Sequence, residues 1–383
     1  MTRSARTIAS LGLAFATAAV VYPAPPYLRA ASFVVRAAGM TGWQSTVASW
    51  DAVPHSESAL EIPLRGGVTP GRLYRPNGRI RRAVVLASGV HPAGIRETRL
   101  VHLARELAAA GLAVVTPELP DLAHYRITPA SVDILEDTGS WLSRQTALVT
   151  DGQVGLMGIS FSGGLSIVAA GRPALREHVA FVFTLGGHGD LPRVLRYLCT
   201  GLEPGGAYRK PHDYGLAVVL IGVAEDMVPA EQVEPLRHAI ETFLEASALD
   251  PVRPRDARAV FARARTLEAA LAEPAATLMH DVNSRDVGAL GPRLLPHIDA
   301  FGGNPSLSPE RSHAPDAPVF LLHGTDDNVI PAAETRLLSA HLTGKTRVHA
   351  LLSGLITHAE VDRPPSAGEV WHLVSFWKRL FEQ

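Results

Sequence analysis

Three side chains of this 383-residue sequence stand where they could share a proton relay. Ser160 lies in Gly158-Ile159-Ser160-Phe161-Ser162-Gly163-Gly164, Asp327 in His323-Gly324-Thr325-Asp326-Asp327-Asn328-Val329-Ile330-Pro331, and His358 in Gly354-Leu355-Ile356-Thr357-His358-Ala359-Glu360. A serine hydroxyl is a poor nucleophile at neutral pH. It needs a base to take its proton, and that base needs a third group to fix its tautomer and stabilise the imidazolium. The tetrahedral oxyanion of an acyl transfer then needs two fixed N–H donors. The amide of Phe161, the residue after the serine, is the first expected donor. The loop Ser88-Gly89-Val90-His91-Pro92 offers the second through Val90, with His91 as the next choice.

Such groups react only if the chain delivers them to one edge. Val154 to Gly158 is an apolar run of strand length, and the small residues beyond it open a helix, so Ser160 is expected at the tip of a tight strand-to-helix turn. Ala83 to Ala87 is a continuous apolar run, as a strand buried on both faces requires, and Leu112 to Pro117, Val179 to Leu185 and Pro318 to Leu322 read as further strands. Thr346 to Leu352 reads as the last strand, and Leu60 to Leu64 and Gly71 to Arg75 as a hairpin-like pair around Gly66-Gly67. Helical spacing marks Glu97 to Ala110, Ser131 to Leu148, Leu165 to Ala170, Ala332 to Leu342 and Ala367 to Phe381. This alternation predicts an α/β fold, a mostly parallel central sheet with helices on both faces, over residues 58–185 and 316–383. In such sheets the reactive loops lie at the carboxyl ends of the strands. Residues 186–315 break the alternation. Leu191 to Leu198, Gly215 to Val228, Ala230 to Ser247 and Asp256 to Ala272 read as helices of an inserted helical cap.

Position decides among the 16 histidines. His341 falls on a helix, His349 inside a strand and His372 in the terminal helix, so only His358 follows a late strand in a loop. Asp327 is preferred as the acid over Asp326, which suits a turn. Glu225-Asp226, in a segment echoing the later acid turn, is a rival if that segment is a strand, and Ser162 is a second candidate nucleophile. His91 and His188 (in Gly186-Gly187-His188-Gly189-Asp190) are candidate pocket residues, although lone histidines are more often structural. No His-Glu-x-x-His and no paired-cysteine spacing is present, so no metal is implied. Gly344-Lys345-Thr346 precedes a strand and Gly187-x-Gly189 lacks a third glycine, so neither is a nucleotide site.

Gly-x-Ser-x-Ser alone is a weak signal. Ser, Asp and His in that chain order, each just past a strand, with an oxyanion loop upstream, make a stronger one. The set resembles the α/β-hydrolase superfamily over about residues 58–383, with Ser162 standing where the superfamily usually has Gly. The resemblance, in architecture similar to dienelactone-hydrolase-like and esterase-like members, implies a serine hydrolase that cleaves a carboxylic ester without a cofactor. A peptidase or acyltransferase with the same triad, or a non-catalytic membrane-anchored binding module of the same fold, are the alternatives.

Composition narrows the partners. With 46% hydrophobic and 19% charged residues the chain can bury a large core. A formal charge of -1 without a basic stripe gives no reason to expect nucleic acid. The single cysteine, Cys199, excludes an intrachain disulfide. Residues 1–40 stand apart: Arg3 and Arg6 precede an uncharged apolar run, Ile8 to Tyr22, which matches an export signal or a short anchor. Tyr27 to Met40 is again apolar. Membrane association through residues 7–38, with a membrane-associated or exported protein, is the expectation, and a cytoplasmic one the alternative.

Overall fold

A computed structural model describes residues 24–40, 46, 48–212, 214–356 and 366–383. His358 and the apolar run Ile8 to Tyr22 lie outside the described residues. Among the described residues helix α1 (Ala24–Ala37) comes first. Strands β1 (His55–Leu64) and β2 (Gly67–Pro76) then pair antiparallel, from His55 opposite Pro76 to Leu64 opposite Gly67. Both outrun the five-residue segments that alternation marks in the sequence. The added part of β1, including Ser56, Glu57 and Ser58, is an exposed stretch held by backbone pairing, so it carries no apolar period.

The α/β series follows as β3 (Arg82–Ala87), α2 (Thr98–Ala109), β4 (Leu112–Pro117), α3 (Pro129–Ser143), β5 (Val154–Ile159), α4 (Phe161–Gly171) and β6 (Val179–Leu185). The Glu97 carboxylate starts α2 by accepting from Leu100 N at 2.8 Å. Between β6 and β7 come α5 (Leu191–Thr200), α6 (Gly215–Met227), α7 (Ala230–Leu249), α8 (Pro254–Glu268), α9 (Ala275–Ser284) and α10 (Val287–Leu294). The chain closes with β7 (Val319–Gly324), α11 (Ala333–Leu342), β8 (Val348–Ser353) and α12 (Ala367–Leu380). A reciprocal cap fixes the start of α12: Glu369 N donates to Ser366 Oγ, and Ser366 N donates to the Glu369 carboxylate at 3.0 Å.

The strands form one eight-stranded sheet in the order β1-β2-β4-β3-β5-β6-β7-β8. Only β2 runs against its neighbours; β3 to β8 are mutually parallel. Alternate residues of each parallel strand feed two apolar layers. Val84, Leu86, Met157, Phe183 and Phe320 face α1, α2 and α12. Val85, Leu156, Val182 and Leu321 belong to the layer that holds α3 and α4 and continues into Leu195, Val219, Leu220, Leu236 and Leu278 of the insertion. Each such leucine or valine contributes roughly 1.5–3 kcal/mol on leaving water. Among the described residues no helix is long and apolar enough to cross a membrane.

Candidate active site

Ser160 sits between the end of β5 and the first turn of α4 with φ 58° and ψ −131°. A non-glycine residue held there stores about 1–3 kcal/mol, which the surroundings must over-determine. They do so through backbone bonds on both sides: Ser160 N donates to Leu185 O at 2.7 Å, and Gly163 N donates to Ser160 O at 2.9 Å. The turn is so tight that a Cβ on Gly158 would stand 2.3 Å from Ser162 O, which explains the glycine before the serine. Ser160 itself is half-buried.

Ser162 is placed differently. It is fully buried, its Oγ accepts from Ile159 N at 2.9 Å, and its own proton faces Ile159 O at 2.9 Å and Ala87 O at 3.2 Å. A hydroxyl so enclosed cannot reach a substrate, so Ser162 is withdrawn as a candidate nucleophile.

The loop after β3 abuts the same turn, since a Cβ on Gly89 would lie 3.5 Å from Ser160 Cβ. Val90 follows, half-buried. Neither the Val90 amide nor that of Phe161, the first of α4, has an acceptor among the described residues. The Phe161 amide carries the positive end of the helix dipole.

Asp327 lies in the turn after β7 and is 4% exposed. Its Oδ1 accepts from Val329 N at 2.9 Å and Ile330 N at 3.0 Å. Its Oδ2 faces the end of β6, where a Cβ on Gly186 would lie 3.2 Å away. Gly186 adjoins Leu185, the residue that fixes Ser160 N, so Ser160 and Asp327 flank one strand end. The neighbouring His323 is fully buried. Its Nε2 lies 2.8 Å from Ile330 O, a pure acceptor, so this nitrogen carries the proton. Its Nδ1 then accepts from Thr335 Oγ1 at 2.7 Å. Asp326 points to solvent, its side chain 71% exposed and 3.7 Å from Arg209 Nη1. Glu225 and Asp226 lie on helix α6 with exposed side chains, so neither reaches the sheet edge as an acid.

The chain leaves β8 beside this turn. Thr325 N donates to Ser353 O at 3.2 Å, and a Cβ on Gly324 would lie 2.1 Å from Ile356 O. His358 follows Ile356 by two positions, outside the described residues. His341, His349 and His372 lie on α11, β8 and α12.

Of the two candidate pocket histidines, His91 is half-buried in the loop after β3, its Nδ1 accepting from Ala93 N at 3.1 Å, and burial pushes its pKa down. His188 lines no opening. It is fully buried behind the first turn of α4, where a Cβ on Gly164 would stand 2.4 Å from its Cε1. Its Nε2 donates to Leu307 O at 2.7 Å, and burial depresses its pKa, so the ring is a neutral packing group.

Sequence reasoning gave no sign of the ties between insertion and acid turn. Tyr197 Oη donates to Asn328 O at 3.1 Å, and His212 N to the same oxygen at 2.9 Å. Buried Glu334, on α11, accepts from Gly189 N, Asp190 N and Arg193 at 2.6–3.2 Å. Backbone acceptors have no sequence signature; the His323-Gly324 pair at a strand end was the available hint of a buried histidine.

A mostly parallel eight-stranded sheet clad by helices on both faces, with a strand-turn-helix serine after its fifth strand and a buried aspartate after its seventh, is the α/β-hydrolase fold. No family model matches the chain, and no curated protein does. Among solved structures it is similar to an esterase from Pyrobaculum calidifontis at 18% identity, with 93% of this chain and 90% of that one covered and a TM-score of 0.47. It is similar to the rice cell wall degrading esterase of Xanthomonas oryzae at 16% identity, 88% and 90% coverage and a TM-score of 0.48. A dienelactone hydrolase from Anabaena variabilis matches at 18% identity, 86% and 97% coverage and a TM-score of 0.41.

Proposed function

We propose that the protein is a serine hydrolase that cleaves a small-molecule carboxylic ester through an acyl-enzyme. The observation that carries this reading is Ser160, held at φ 58° beside two amides, Val90 and Phe161, that have no acceptor among the described residues. In this reading Ser160 Oγ attacks the ester carbonyl while His358 takes its proton, and the two amides hold the oxyanion. The carbon–oxygen bond to the alcohol then breaks as His358 returns the proton to the leaving oxygen. Water repeats the sequence to release the acid and free Ser160. Asp327, already bonded to two amides, orients His358 through its Oδ2 side. The cap at residues 186–315 bounds the acyl or alcohol pocket, and its apolar helices favour a hydrophobic group there.

Incubation with a fluorophosphonate probe, followed by mass mapping, tests the reading. Adduct formation at Ser160, lost in Ser160→Ala, with hydrolysis of a p-nitrophenyl ester lost in parallel, supports it. Folded protein that neither labels nor turns over such an ester would leave the non-catalytic binding module instead.

A further inference from the structure

The face that helix α1 turns to solvent carries no charge. Leu28, Ala31 and Val35 lie along it at helical spacing, Leu28 60% exposed and the other two half-buried. The inner face, with Ala30, Phe33 and Val34, is buried. Phe33 packs on Trp377 and Phe381 of the closing helix region, ring centroids 4.4 and 5.2 Å apart. Both cations of α1 are drawn away from the outer face, Arg29 to Asp51 at 3.5 Å and Arg36 to Glu106 at 2.7 Å. An indole flanks the helix on each side. Trp371, 56% exposed, stacks on Tyr27 with centroids 5.1 Å apart, and Trp50, 88% exposed, adjoins the Asp51 that Arg29 binds. Exposed Arg81 lies close enough to Arg29 and to exposed Arg79 for their charges to repel it, and Lys378 sits over the Tyr27 ring at 5.3 Å.

An uncharged stripe between two exposed indoles, edged by cations, has the residue distribution of a surface that rests in the headgroup layer of a bilayer. A second copy of the chain is a poor occupant, because stable protein interfaces use about 20–30 residues a side. The sequence before the helix argues the same way: the uncharged run Ile8 to Tyr22, preceded by Arg3 and Arg6, leads straight into α1. We propose that the outer face of α1, with Trp50 and Trp371, docks the folded domain side-on against an anionic lipid bilayer. This inference is independent of the chemistry at Ser160.

The test uses the full chain with vesicles of phosphatidylcholine and phosphatidylglycerol at three to one. Leu28→Cys, labelled with an environment-sensitive fluorophore, reports the face; the native Cys199 is buried with its thiol pKa pushed up to about 12 and does not compete. The expected result is a blue shift on adding vesicles and quenching by brominated phosphatidylcholine, with neither change for a label at exposed Asp250→Cys. Leu28→Glu combined with Trp371→Glu should lower the vesicle-bound fraction about tenfold without lowering the melting temperature. Three results would overturn the proposal: no co-flotation, co-flotation with an unresponsive label at position 28, or a dimer by light scattering that Leu28→Glu converts to monomer.

Discussion

Ser162 and Ala87, 75 residues apart in sequence, meet at 3.2 Å, hydroxyl to carbonyl. The contact joins the turn of Ser160 to the end of β3, one residue before the loop that carries Gly89 and Val90. A glycine at position 162 would leave the turn its shape but remove this link. Because Ile159 N also donates to Ser162 Oγ, Ser162→Ala strands a buried amide, at a cost of about 1–3 kcal/mol. Urea unfolding of Ser162→Ala should show that loss while ester turnover persists. Ser160→Ala should do the reverse, keeping stability and losing turnover; turnover that survives Ser160→Ala would remove Ser160 from the mechanism.

The two adjacent aspartates make a second discriminating pair. Asp327→Asn keeps the shape of the side chain but takes away its charge, and should lower kcat by roughly 10² to 10⁴-fold. Asp326→Asn alters only an exposed carboxylate 3.7 Å from Arg209 and should stay within about twofold of the parent. Equal effects of the two substitutions on kcat would leave Asp327 with no special role.

Glu334 and Arg193 form a buried ion pair at 2.6 Å, the carboxylate 1% and the guanidinium 25% exposed. Glu310 binds the same guanidinium at 2.7 Å. Removing one partner of a buried pair costs about 3–5 kcal/mol, and the partial exposure of Arg193 puts this one at the low end, about 3 kcal/mol. Arg193→Met should therefore lower the denaturant midpoint strongly, since it leaves Glu334 and Glu310 facing each other. A loss under about 1 kcal/mol would show that the pair does not hold the insertion to α11.

His188 supplies a pH dependence. Its pKa in the folded protein is depressed by burial, so below about pH 6.5 the unfolded chain binds a proton that the folded one refuses. Stability is then full above the unfolded value and is lost as pH falls beneath it. His91 is shifted in the same direction and adds to the slope. His188→Asn, which keeps a donor for Leu307 O, should flatten the fall in midpoint between pH 7.5 and 5. Parallel slopes in parent and variant would count against it.

The sheet was readable from sequence wherever strands are buried on both faces, because Ala83 to Ala87 is wholly apolar and Val179 to Leu185 admits only Thr184 as a polar residue. It was not readable at Ser56-Glu57-Ser58, where an exposed edge strand is specified by backbone pairing. Ser160 drew notice for a related reason, as a polar residue directly after an apolar strand, and Asp327 as an acid in the turn that follows the strand Val319–Gly324. Ser162 misled because type and spacing cannot tell a hydroxyl turned outward from one turned onto Ala87 O. His188, as a lone histidine more often structural than not, is buried against Leu307, 119 positions away. Asn328 O, the acceptor for both Tyr197 and His212, is a main-chain atom that every residue possesses, so no side-chain pattern announces it.

The continuity of the apolar layer beneath the insertion has a mechanical consequence. Val219, Leu220 and Leu236 share one interior with Val182 and Leu321 of the sheet. Swinging those helices outward as a body would tear open that interior and break both bonds to Asn328 at once. Motion of the insertion therefore belongs to rotamer changes and short connecting turns, on the nanosecond to microsecond scale, rather than to a hinged door. On heating, insertion and sheet should come apart together in one calorimetric peak.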